Sequence, residues 1–237
     1  MEETLFEKAC ARNREAIYGM LATSVVGPNR VNGSNGSAFM VSPGFLITAA
    51  HCIHQETSPA KLRHQKFELI RAPDIGQGME TAIVVATDVQ KDLALLHIDR
   101  PRSCACLKLL TSLAPLGAPC GSLGFPLAHM DSTPQGISFN VVERFQGANI
   151  SAFVVANDEQ GRPVTLYETD SLMYGGSSGC PGFLESGKVF GMHNRSVLEA
   201  SKGGQRSAGT QGTRLAISMW VTSIDIVGFV SAQGIKV

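Results

Sequence analysis

Three short segments hold residues that could do chemistry together. In Ile47-Thr48-Ala49-Ala50-His51-Cys52, an apolar run ends in small residues and delivers a histidine with room beside its ring. In Lys91-Asp92-Leu93-Ala94-Leu95-Leu96, a carboxylate stands at the entrance of an apolar run and is anchored beside buried backbone. In Gly175-Gly176-Ser177-Ser178-Gly179-Cys180-Pro181, glycines flank serine on a tight turn. Backbone without side chains can approach a carbonyl group there and aim N–H groups at it. A serine hydroxyl is a poor nucleophile until a neighbouring base takes its proton. Histidine can accept that proton at neutral pH and return it to a leaving amine. A carboxylate behind the imidazole fixes its tautomer and stabilises the imidazolium. Each segment alone is commonplace. The chain order His51, Asp92, Ser178 suits acyl transfer by a serine nucleophile, a histidine base and a carboxylate that orients it.

The elements that must position these residues are short. Residues 2–15 read as an amphipathic helix with Phe6 and Cys10 on one face and early Glu residues at its positive end. From Ile17 on, apolar runs alternate with turns rich in Gly, Asn, Pro and Asp. Residues 99–118 lack periodicity and read as a crossing segment, 136–147 as one strand, and 221–230 as a closing helix. Many short strands predict an all-β chain of barrels or sandwiches. With 43% hydrophobic residues and 25 Gly, the 237-residue chain is globular and turn-rich.

Twenty basic residues balance 20 acidic ones, which removes the main argument for binding nucleic acid or an acidic membrane surface. The basic cluster Lys61, Arg63, His64, Lys66 reads as a solvated loop face, and 201–212 as a mobile Gly/Ser-rich surface loop. No apolar run reaches the roughly 18 residues of a membrane helix. The opening MEETLFEKAC lacks the basic start and apolar stretch of a secretory signal. The six cysteines follow neither a disulfide nor a zinc-finger spacing, so they read as free thiols in a reducing, cytoplasmic setting. No metal or organic cofactor is expected, since a hydrolytic triad needs neither.

The stretches SAFMVSPGFLITAAHC (37–52), ATDVQKDLALLHI (86–98), LGFP (123–126), ETDSLMYGGSSGCP (168–181), GKVFGMHN (187–194) and RLAISMW (214–220) resemble the chymotrypsin clan of serine proteases. They are most like an HtrA-type protease domain without a PDZ domain. The resemblance implies two six-stranded antiparallel β-barrels with the triad in the groove between them. The lobes would be residues 1–110, with His51 and Asp92, and 111–237, with Ser178. The family's oxyanion hole maps onto the N–H groups of Gly176 and Ser178. Ser177 stands where digestive relatives carry the aspartate of zymogen activation, and no cysteine within 32–42 is present to pair with Cys52. Both departures favour the HtrA-like branch.

Cys180 is a competing nucleophile, but viral relatives that use cysteine carry it at the position of Ser178. The substrate pocket maps to Met173 and Tyr174, and to His193 and Asn194. Met173 suits a small apolar residue before the cut, as in HtrA-type enzymes. His193 matches a histidine that reads Glu or Gln in glutamyl endopeptidases and picornaviral proteases, and a purely structural role inside the second barrel stays open. The implied function is a serine endopeptidase acting on proteins or peptides. The alternative is a latent or inactive module that binds peptides or partners. HtrA-type proteases also imply a regulatory partner or a homo-oligomer built through the N-terminal segment.

Overall fold

The apolar runs of the first half close on one another. In the computed structural model, which describes residues 3–27, 30–54, 63–133, 136–157, 163–198 and 214–237, they form six strands. These are β1 (Ile17–Gly27), β2 (Arg30–Ser42), β3 (Phe45–Ala49), β4 (Lys66–Arg71), β5 (Glu80–Asp88) and β6 (Leu93–His97). They pair antiparallel in the closed order β1-β2-β3-β6-β5-β4. In the second half come β7 (Pro119–Gly124), β8 (His129–Thr133), β9 (Gly136–Asn140), β10 (Arg144–Asn157), β11 (Pro163–Thr169), β12 (Pro181–Leu184), β13 (Val189–Leu198) and β14 (Arg214–Thr222). Six of these close a second barrel in the order β10-β11-β14-β13-β12-β7, while β8 and β9 pair as a separate hairpin. Closure leaves neither barrel with an unpaired edge strand. The fold is the two-barrel, chymotrypsin-like architecture.

The barrels share one core. Residues Ile17 to Ser24 of β1 are all buried, so both faces of this strand are covered. One face fills the first barrel. The other meets the second barrel so closely that a Cβ on Gly19 would lie 3.1 Å from the Phe125 ring. A separate apolar cluster lies around Trp220, Tyr167 and Phe190, with the Tyr167 and Phe190 rings edge-to-face at 5.2 Å. Its polar tips have partners, as buried aromatic residues require. Trp220 Nε1 donates to Thr169 Oγ1 at 2.8 Å, and Tyr167 Oη accepts from the Ala114 N–H at 2.8 Å.

Two helices tie the halves together. Helix α1 (Leu5–Asn13) begins with a capping box in which Thr4 and Glu7 bond reciprocally. It precedes the first barrel in the chain yet docks on the second. Phe6 packs on Phe145 and Phe183 at centroid distances of 5.6 and 6.4 Å, and Asn13 Nδ2 donates to the Gly187 carbonyl at 3.0 Å. Helix α2 (Ser223–Ser231) is capped by Thr222 and sends Asp225 to Lys91, 2.6 Å away in the loop before β6.

The single strand expected over 136–147 is broken. Residues 141–143 separate β9 from β10, because β9 turns away to pair with β8. The sequence of β8, HMDST, carries no apolar alternation and gave no sign of a strand. The predicted loop at 201–212 and Lys61 of the basic cluster lie outside the described residues. Among the described residues no helix is long and apolar enough to cross a membrane.

Candidate active site

Strand β3 stops at Ala49, and His51 sits two residues further, on a 3₁₀ turn over Ala50–Ile53. Asp92 holds that turn. Its carbonyl accepts the Ala50 N–H at 3.0 Å and its Oδ1 accepts the His51 N–H at 2.8 Å. Its Oδ2 lies 2.7 Å from His51 Nδ1, which donates because a carboxylate can only accept. Asp92 itself adopts φ 56°, a left-handed conformation that aspartate tolerates better than most residues.

Asn194, predicted in the substrate pocket, is placed elsewhere. The β13–β14 register shifts between His193 and Arg195, and the Asn194 side chain turns to donate Nδ2 to Asp92 Oδ2 at 2.7 Å. The first barrel's carboxylate is thus oriented from the second barrel as well. No local pattern announces this bond, because the partners are 102 residues apart.

The Gly-Ser turn folds as a tight elbow. Ser177 N–H donates to the Tyr174 carbonyl at 3.1 Å and Cys180 N–H to the Ser177 carbonyl at 2.9 Å. Its outer wall is Ser37 of β2, fully buried and overlooked by the sequence reading. Ser37 N–H donates to the Ser178 carbonyl at 2.8 Å, and its hydroxyl donates to the Gly176 carbonyl at 2.9 Å. The Leu127 N–H takes the Gly175 carbonyl at 2.7 Å. With these three carbonyls held, the N–H groups of Gly176 and Ser178 have no protein acceptor among the described residues. They are spare donors of the kind that stabilise an oxyanion.

His51, Ser178 and Gly176 line one small polar cleft of about 230 Å³, together with Gly33, Ser34, Asn35, Cys52 and Gly175. No hydrogen bond joins Ser178 Oγ to His51; such catalytic bonds often tighten only when substrate is in place. Met173 and His193 are each only 2% exposed and do not line the cleft, whereas Tyr174 is exposed. The His193 ring stands edge-on to Trp220 at 5.1 Å.

Electrostatics separate the candidates. Burial lowers the pKa of the His51 imidazole, but the Cys52 sulfur and the Asp92 carboxylate beside it outweigh that and hold it above the ordinary range. Cys180 is 1% exposed, and burial pushes its thiol far up, so it stays protonated and unreactive. Cys52 is a free thiol. A Cβ on Gly36 would lie 2.9 Å from its Sγ, so the thiol fills the space that a side chain there would need. Among the described residues no cluster of His, Cys, Asp or Glu is arranged to hold a metal.

The chain belongs to the trypsin-like peptidase family: the family's domain model matches residues 36–192. Its fold is similar to that of the Rv3671c protease from M. tuberculosis in its active form. The match has a TM-score of 0.69 at 17% identity and covers 98% of this chain and 87% of that one. The inactive form of the same protease matches with a TM-score of 0.65 at 16% identity, covering 98% of this chain and 95% of that one. No curated protein matches the sequence significantly.

The elbow predicts the cost of a single methyl group. Gly176 has φ 91°, and a Cβ there would meet the Phe125 carbonyl oxygen at 2.6 Å. Gly176→Ala is expected to displace the residue 176 N–H. Steady-state kinetics should show a fall of about 10²–10³ in kcat, the usual cost of one oxyanion donor.

Proposed function

We propose that this chain is a serine endopeptidase that hydrolyses proteins or peptides through an acyl-enzyme on Ser178. The observation that carries this reading is the 2.7 Å contact between His51 Nδ1 and Asp92 Oδ2, in the cleft that also holds Ser178 and two spare N–H donors. In the first half-reaction Ser178 Oγ attacks the scissile carbonyl, and His51 Nε2 takes the hydroxyl proton. Asp92 stabilises the resulting imidazolium, and the N–H groups of Gly176 and Ser178 receive the oxyanion. His51 then protonates the leaving amine. Water repeats the sequence in reverse and frees Ser178. None of these steps calls for a metal or organic cofactor.

Several readings accompany the proposal. The lobes divide near residue 110, within the crossing segment. An HtrA-type, cytoplasmic enzyme accords with Ser177, whose buried position offers no carboxylate to a newly cut amino terminus. Substrate contacts fall to Tyr174 at the surface, with Met173 and His193 behind it. A regulatory partner or second copy would engage the N-terminal segment, and deletion of α1 followed by light scattering tests this. Turnover of a denatured protein substrate tests the activity itself. Fluorophosphonate is expected to abolish turnover and iodoacetamide to leave it unchanged. Inhibition by iodoacetamide alone would transfer the chemistry to a cysteine.

The raised His51 pKa sets a pH dependence. The imidazole must be neutral to act as base, and a raised pKa keeps it protonated to higher pH. The acid limb of kcat/KM is therefore expected to have its midpoint above about 6.5, the ordinary histidine value. A pH–rate profile on a peptide substrate checks this, and a midpoint below that value would contradict it.

A further inference from the structure

A second and larger concavity, of about 720 Å³, lies beside the cleft. Its floor includes Leu21, Val25 and Val31 of the β1–β2 pair and Ile70 of β4, and Met79 and Phe139 also line it. Side chains two apart on a strand share a face. Val31, Gly33 and Asn35 therefore stand on one face of β2. Val31 lines the groove, while Gly33 and Asn35 line the cleft. Their cross-strand partners, Val25, Thr23 and Leu21 respectively, extend that face across β1. Gly33 has no side chain to raise a ridge between the two concavities. One sheet face thus runs from the cleft into the groove. From Asn35 to Val31 it covers roughly 13 Å, about four residues of extended chain.

The groove presents six apolar side chains beside the polar Thr23, Ser24 and Gln65 and the charged Lys66 and Glu68. Val25 is 68% exposed, a large aliphatic surface left open to water. The only ion pair described among its lining residues, Lys66 with Glu68 at 2.8 Å, neutralises itself and leaves no net charge to select a charged ligand. Tyr174, the exposed member of the residues read as receiving the side chain before the cut, belongs to the second barrel. The floor of the groove belongs to the first. A polypeptide whose acyl part lies against the second barrel reaches the groove with its leaving-group part.

We propose that this groove binds the substrate beyond the scissile bond and takes Leu, Ile, Val, Met or Phe side chains about three to five residues after the cut. The inference rests on the endopeptidase reading of the cleft, and it assigns that enzyme to extended, unfolded polypeptides with apolar residues downstream of the cleavage site.

Peptide binding to the Ser178→Ala protein tests the groove without turnover. A randomised decapeptide library is captured on it, and a captured peptide carrying Leu is compared by fluorescence anisotropy with its Leu→Gly form. The Leu form is expected to bind about tenfold more tightly, the scale of burying one apolar side chain. Adding Val25→Asp or Met79→Asp should remove that advantage while the Gly form binds as before, which also reports that the variants are folded. Equal binding of the Leu and Gly forms would overturn the proposal, as would an advantage that survives both variants. Fluorophosphonate labelling of the wild type is read in parallel. Selective binding without labelling removes the hydrolase reading and leaves the groove. Labelling without selectivity removes the groove alone.

Discussion

Ser178→Ala is expected to give a folded protein whose kcat for peptide hydrolysis has fallen by up to about 10⁶, the cost of deleting the nucleophile from such a triad. So specific a loss follows from the local bonding. The structural bonds around residue 178 use backbone: its carbonyl accepts the Ser37 N–H at 2.8 Å, and its own N–H stays free for the oxyanion. The hydroxyl makes no hydrogen bond among the described residues, so its removal breaks nothing that holds the elbow. The thermal midpoint should therefore stay within a few degrees of the wild type while turnover disappears. Undiminished hydrolysis by the variant would move the nucleophile elsewhere. Cys180 is not a substitute, because it is buried and its thiol is held protonated.

Asp92→Asn should cost about 10⁴ in kcat, the second largest loss expected. The backbone is kept, since asparagine also tolerates the left-handed conformation that residue 92 adopts at φ 56°. What changes is the proton on the imidazole. The carboxylate can only accept, so it requires His51 Nδ1 to carry hydrogen and leaves Nε2 free to act as base. An amide can present its own N–H to Nδ1, which reverses the tautomer and places a hydrogen where the base should be. The loss of charge also removes one of the causes that raise the His51 pKa, so the residual activity should have an acid limb shifted to lower pH. A kcat within tenfold of wild type, or an acid limb unmoved, would mean that Asp92 orients the turn and no more.

The sequence revealed the architecture and the three segments better than the bonds between them. Short apolar runs between turn residues announced an all-β fold, barrel or sandwich, and His51, Asp92 and the Gly-Ser turn stood out because their types suit one reaction. Ser37 did not stand out. A serine inside a strand looks neutral until the strand is placed against the elbow, whose Gly176 lies 139 residues away. Asn194 was read as pocket wall for the same reason. Only the bulge in β13 aims it at Asp92. The docking of α1 on the second barrel was equally hidden, because an amphipathic helix specifies that it needs an apolar surface, not which one. Strand β8 lacked the alternation by which strands are recognised, so its pairing with β9 was hidden.

The most direct test of the account is the site of fluorophosphonate attachment in the folded wild-type protein, located by peptide mapping and mass spectrometry. The account predicts a single adduct on Ser178, formed without any partner and absent when His51 is replaced by alanine. A folded protein that takes up no label, or takes it up on a residue other than Ser178, would contradict it.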